Sequence, residues 1–172
     1  MPDVVDKATR SQMMAGIRGR DTKPERVLRT ALHSAGFRYR LHVSNLPGKP
    51  DLVFPKYKAA ILVHGCFWHR HPDCWWCSTP SSNSEFWAAK FDQNTRRDAK
   101  NVADLEDLGW RVAIVWECAL RLLGDDDVAL AIGRWLTGNR KTLILPKDKE
   151  MRRSPSVVPG APKLESRKPR IG

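Results

Sequence analysis

The chain has 172 residues, 41% of them hydrophobic, which suits one domain with a packed core rather than a disordered chain. No run approaches the eighteen or so apolar residues of a membrane span, and the opening "MPDVVDKATRSQMM" has no signal-peptide core, so a cytoplasmic protein with no membrane partner is expected. The net charge of +11 points to a polyanion, nucleic acid before all others, with solubility alone as the plain alternative.

Residues 7–18 read as a short basic helix with Asp6 as its N-cap. A second helix follows. Thr22 and Glu25 have capping-box spacing, Pro24 suits the first turn, and Val27, Leu28, Ala31, Leu32 and Ala35 share one face before Gly36 stops it. "RYRLHV" predicts a strand, "SNLPGKP" a turn, "DLVF" a second strand and "AAILVH" a third. The third is a continuous apolar run and is expected to be central. "PSSNS" breaks the chain before a long amphipathic helix that ends at Gly109. "WRVAIVWEC" reads as another buried strand and "DDDVALAIGRWLTG" as a helix with an acidic first turn. The sum is a single α/β domain with a mixed central sheet flanked by helices, over residues 1–145. Residues 146–172 hold eight Lys or Arg against three Asp or Glu, and five prolines. They read as a disordered basic tail.

The chemistry concentrates in and around "VHGCFWHRHPDCWWC", residues 63–77. Asp51 opens one strand beside the end of another that finishes at His64, a good place for a hard cation that wants oxygen ligands. Glu25 could reach the same place, although a strand-start Asp and a capping Glu are also ordinary features. His64 and His69 flank Cys66, and a neutral histidine can take a proton from attacking water. In a reducing compartment clustered cysteines are more often metal ligands than disulfides. Cys66, His71, Cys74 and Cys118 form one candidate set for structural zinc. Cys77 competes with Cys74 through the pair "CWWC", and an all-cysteine site is a further alternative. Phe67 and Trp68 sit inside this loop, with Trp87 and its neighbour Lys90 following on the long helix. Exposed rings in a basic protein suit stacking on bases or wedging between them.

Together the pieces "MPDVVDKATRSQMM", "RDTKPE", "LPGKPDLVF", "VHGCFWHRH", "EFWAAKF…N…RRD" and "LGWRVAIVWECAL" resemble the very short patch repair (Vsr) endonucleases, bacterial mismatch-nicking enzymes. The resemblance covers about residues 1–121. It implies a restriction-endonuclease-like fold with a structural zinc, and Mg2+-dependent hydrolysis 5′ to the thymine of a T·G mismatch. By position it makes Asp51 the metal-binding carboxylate and the Val63 carbonyl the second protein ligand of Mg2+. Glu25 is then the residue that holds water at the metal, His69 the general base and His64 its helper near the phosphate. Phe67, Trp68 and one of Met13 or Met14, with Met14 favoured, match an intercalating wedge. Trp87, Lys90 and Asn94 join them as DNA contacts, and the N-terminal helix (within residues 1–20) is expected to grip DNA. Zn2+ is assigned to Cys66, His71, Cys74 and Cys118. The sequence departs from the family in having Val63 where a threonine is common, and two residues rather than one between His71 and Cys74. The implied partners are double-stranded DNA with a T·G mismatch, then mismatch-repair proteins and a DNA polymerase, with the enzyme acting as a monomer. The alternatives are a restriction-like endonuclease of other specificity, a structural zinc protein whose basic tail binds RNA or membrane lipids, and a zinc-stapled DNA-binding module without catalysis. Asp51 separates the last from an enzyme, because a binding module has no use for an acid facing phosphates.

Overall fold

The computed structural model describes residue 8 and residues 19–151. The helix expected over 7–18, with Met13 and Met14, and the tail from 152 onward lie outside the described residues. Helix α1 (Lys23–Ser34) starts after Thr22 and carries Pro24 in its first turn. It ends in a Schellman motif: Gly36, at φ 90°, donates to His33 and Phe37 donates to Leu32. Strand β1 (Leu52–Phe54) is antiparallel to β2 (Ala59–His64), and the two are joined by a short 3-10 turn at Pro55–Tyr57. A single helical turn, α2 (Cys66–His69), follows β2 at once, and the long α3 spans Ser84–Asp107. Then come β3 (Arg111–Trp116), α4 (Glu117–Leu123), α5 (Asp125–Thr137), β4 (Thr142–Leu145) and the turn α6 (Asp148–Met151).

The sheet order is β1-β2-β3-β4, with β2, β3 and β4 parallel. It is a mixed sheet with the expected central strand inside it. The two faces follow from period-2 alternation. Ala59, Ile61, Ala113, Val115, Leu143 and Leu145 point to one side and pack with Leu28 and Leu32 of α1, Ala119 of α4 and Ile132 and Trp135 of α5. Ala60, Leu62 and Val112 point to the other and meet Leu105 of α3. Beyond Leu62 that second face continues as His64 on β2 and Trp116 on β3, which are register partners at the ends of the two strands. The ends of β2 and β3 are therefore where apolar packing gives way to polar and sulfur-bearing groups.

Three expectations differ from the structure. "RYRLHV" makes only an isolated bridge, Arg40 with Val53, through reciprocal hydrogen bonds of 2.8 and 3.0 Å. β1 offers just three residues, and His42 at φ 55° turns the chain away from an extended path. The strand expected to run to Cys118 stops at Trp116, so Cys118 sits in the first turn of α4. Strand β4 was not foreseen, and residues 148–151 form a helical turn whose Met151 packs against the Cys66–Trp116–Cys118 cluster.

Candidate active site and metal centre

A cavity of about 1060 Å³ opens between α1, the ends of β1 and β2, α2 and α3. Asp51 enters it just before β1. Its backbone N–H donates to Ile61, and its Oδ2 accepts the Val63 N–H at 2.7 Å. The ladder has run out at that point, so a side chain stands in for the missing strand residue. The N–H and C=O of one strand residue point to the same edge, which directs the Val63 carbonyl to the edge that Asp51 occupies. A carboxylate and a carbonyl side by side are the hard oxygen donors that Mg2+ takes. Burial, partly offset by the Val63 hydrogen bond and reinforced by Glu25, holds the Asp51 carboxyl at about 6 instead of 3.8. A site built this way is short of positive charge.

Glu25 lies on the same cavity wall, 3% exposed. The capping relation differs from the expected box. Thr22 Oγ1 donates to Glu25 Oε1 and the Asp21 N–H donates to Oε2, both at 2.8 Å, while Thr22 makes no side-chain cap of its own. The carboxylate is thus fixed by the chain entering α1.

Across the cavity the rings of His64 and His69 stack, 4.1 Å between centroids and 3° from parallel. Burial and then the adjacent His69 depress His64 to about 4, so at neutral pH it is an uncharged ring. His69 Nδ1 is hydrogen-bonded to Asp98 of α3, which leaves Nε2 available for proton transfer. Burial works to raise the Asp98 carboxyl, but the His69 bond and neighbouring positive charges outweigh it and hold it below its ordinary range. Nucleophile-activating histidines are oriented in this manner by a carboxylate behind the ring.

Behind these rings lies a second cluster. The ligand atoms of Cys66, His71, Cys74 and Cys118 all fall within 4.8 Å of one another. His71 Nδ1 is 3.2 Å from the Cys118 sulfur and 3.9 Å from that of Cys66. Cys66 and Cys118 are buried, and the neighbouring Cys66 and Cys74 push the Cys118 thiol well above its ordinary value. Three thiols and an imidazole this close could hold a cation between them, and three sulfurs with one nitrogen are a ligand set of the kind zinc takes in structural sites. The additional residue before Cys74 is absorbed in the turn. Pro72 and Asp73 are both exposed, and Asp73 adopts φ 52°, which returns the chain so that Cys74 joins the cluster. Cys77 is not in that set, although its N–H donates to the Cys74 carbonyl.

The model of the DNA mismatch endonuclease Vsr family matches residues 2–75. The chain is 43% identical over 141 residues to the DNA mismatch endonuclease Vsr of Escherichia coli K12, covering 80% of this chain and 90% of that one. The chain belongs to the Vsr family. It is also similar to type II nicking enzymes: V.XorIIP of Xanthomonas oryzae pv. oryzae, 44% identical over 124 residues (72% of this chain, 90% of the relative), and V.NmeAIP of Neisseria meningitidis serogroup A, 43% over 121 residues (70% and 86%). Membership places the chain among DNA endonucleases of restriction-endonuclease-like fold.

In this Vsr-family structure Asp51, Val63, His64, His69 and Glu25 line one cavity, and Trp68 and Asn94 share it. Phe67 and Trp68 lie against α3. Phe67 meets Trp68, Trp87 and Phe91 edge-on at 5.0–5.5 Å, and Arg70 stacks over Phe91 at 4.3 Å. Asn94 is buried and donates to the Trp68 carbonyl at 3.1 Å, so in this conformation it braces the aromatic loop instead of facing solvent. Lys90 is exposed on α3, one turn before Asn94.

Asp98 is the residue that sequence reasoning missed. It stood inside the quoted "RRD" without a role. A signal was present: Trp87, Phe91, Asn94, Asp98, Asn101 and Leu105 recur at the four-then-three spacing of one helix face. Three polar residues in the middle of an inward seam call for partners, and Asp98 finds His69.

Proposed function

We propose that this protein is a Mg2+-dependent endonuclease that nicks one DNA strand 5′ to the thymine of a T·G mismatch, of the kind left when 5-methylcytosine deaminates, and so starts very short patch repair. The observation that carries this reading is the meeting, in one cavity of a Vsr-family chain, of the Asp51–Val63 oxygen pair with the His64–His69–Asp98 array. Mg2+ held by Asp51 and the Val63 carbonyl would supply positive charge against the phosphoryl and leaving oxygens. His69 accepts the proton of the attacking water at Nε2. Asp98 keeps Nδ1 protonated and stabilises the ring once it is charged, while the neutral, stacked His64 fixes its plane beside the phosphate. Phe67 and Trp68, with Trp87 behind them, supply the flat surfaces for an opened base step. Unstacking costs a few kcal/mol and is least at a mismatch, so a wedge favours T·G over paired DNA. The thiol ligands require reduced cysteines, which fits action in the cytoplasm.

The test is a duplex with one T·G pair in a cytosine-methylase-type site beside its fully paired counterpart, each with Mg2+ or EDTA. A single nick 5′ to the thymine, in the mismatched duplex and with Mg2+ alone, is expected. Equal nicking of both duplexes sinks the mismatch reading, and cutting in EDTA sinks the metal. Because Asp51 takes up a proton near pH 6, the Mg2+ concentration for half-maximal nicking should rise as pH falls through that value. A requirement that stays flat from pH 8 to 5 removes Asp51 as the ligand. Asp98→Asn should lower the single-turnover rate at least about 100-fold, the lower range of general-base contributions, without weakening DNA binding. An unchanged rate would show that His69 needs no carboxylate behind it.

A further inference from the structure

Arg29 is not used in the proposed reaction, yet it is a largely buried cation that pairs with the acidic wall of the cavity. Its Nη2 donates to Glu25 Oε2 at 2.9 Å and its Nη1 to Asp21 Oδ1 at 2.5 Å. The side chains of Arg29 and Glu25 are 12% and 4% exposed, so this pair is shielded from water. With Thr22 and the Asp21 N–H, Arg29 completes three donors on one carboxylate, and it brings the only full positive charge among them. Its backbone carbonyl accepts the Tyr39 hydroxyl at 3.0 Å, and Tyr39 packs edge-on against Phe54 of β1. The helical turn that carries Arg29 is thereby keyed to the strand that Asp51 opens. Among the described residues, the buried Nε of Arg29 has no hydrogen-bond partner.

We propose that Arg29 is a positioning residue of the nicking reaction: its guanidinium fork fixes the buried Glu25 carboxylate at the wall of the cavity that His69 also lines. This rests on the reading of Glu25 as the carboxylate that holds water at the metal site. A planar fork can hold Asp21 and Glu25 at once, which a lysine ammonium cannot reproduce. The geometry it fixes is of the kind where a displacement of about 1 Å costs on the order of 100-fold in rate.

The experiment compares wild type, Arg29→Met, Arg29→Lys, Glu25→Gln and the double variant Arg29→Met/Glu25→Gln on the T·G duplex. Single-turnover nicking is read at saturating Mg2+, DNA affinity is read in EDTA, and thermal melting reports the fold. Arg29→Met should lose about 10- to 100-fold in rate with DNA affinity kept within about twofold. Arg29→Lys should recover part of that loss, and it guards against a folding defect in the methionine variant. The double variant should be no slower than Glu25→Gln, since both changes remove one shared function. Wild-type rates in Arg29→Met while Glu25→Gln is impaired would overturn the proposal, as would losses that multiply in the double variant. Full activity in Glu25→Gln overturns the Glu25 reading and this proposal with it, while the roles of Asp51 and His69 stand on their own tests.

Discussion

Replacing Asp51 with asparagine is expected to abolish nicking and, at the same time, to make the metal-free protein more stable at neutral and alkaline pH. The carboxyl sits at about 6 in the folded chain against 3.8 ordinarily. A carboxyl raised in this way favours the folded state while it is protonated. That advantage is complete below the ordinary value and is lost as pH rises through about 6, where the folded protein must carry a half-buried charge. By linkage the penalty above pH 6 is on the order of 2–3 kcal/mol. Asparagine removes the charge and can still accept the Val63 N–H. The measurement is denaturant unfolding in EDTA at pH 5 and pH 8, beside nicking with Mg2+. The variant should gain most stability at pH 8, roughly half as much at pH 5, and cut no DNA. A loss of stability at pH 8 would mean that the Asp51 charge is already compensated without a metal. Residual nicking within about 100-fold of wild type would move the metal site elsewhere.

The second large effect is expected at the sulfur cluster. Cys74→Ser should release the metal and unfold the knuckle from 66 to 77, whereas Cys77→Ser should keep both metal and activity. The cluster geometry includes Cys74 and leaves Cys77 outside. Structural zinc supplies roughly 10 kcal/mol or more of folding free energy in small domains. Here a hydrophobic core stands beside it, so the damage should be local before it is global. The loop between Cys66 and His71 carries Phe67, Trp68 and His69, so Cys74→Ser should lose nicking even where the sheet survives. Elemental analysis of the purified variants, with circular dichroism and nicking, decides the matter. Metal retained in Cys74→Ser and lost in Cys77→Ser would reverse the assignment.

Much of this was legible because the signals were local. Thr22, Pro24 and Gly36 bracket α1, and Gly109 ends α3, where it donates to Glu106 and Trp110 donates to Leu105. The apolar run at 59–64 is an inner strand because both its faces are covered. What escaped depends on partners distant in sequence. The segment "RYRLHV" has strand composition but only three residues of β1 to pair with. In "WRVAIVWEC" apolar side chains continue across the change from strand to helix, so no periodicity marks the boundary at Glu117. β4 is four residues long, and only its neighbour β3 defines it. At the site, the carboxylate pair of Asp51 with the Val63 N–H and the stacking of His64 on His69 needed coordinates, while the residues themselves were visible in their motifs.

The inward seam of α3 has one more consequence. The helix packs its apolar side chains on the body through Phe91 among the aromatic rings towards one end and through Leu105 on the sheet at the other. Between them Asn94, Asp98 and Asn101 reach into the cavity. It works as a beam resting on two supports, with the functional groups hung beneath the span. The supports are fourteen residues apart, close to four turns or about 21 Å. Adding or deleting one residue inside the span would rotate one support by about 100° relative to the other, so that either the aromatic loop or the sheet would lose its contact. A change of seven residues, nearly two whole turns, would restore the rotation but shift the two supports about 10 Å relative to each other along the axis. The length of this helix between Phe91 and Leu105 is therefore set by the distance between the aromatic loop and the sheet.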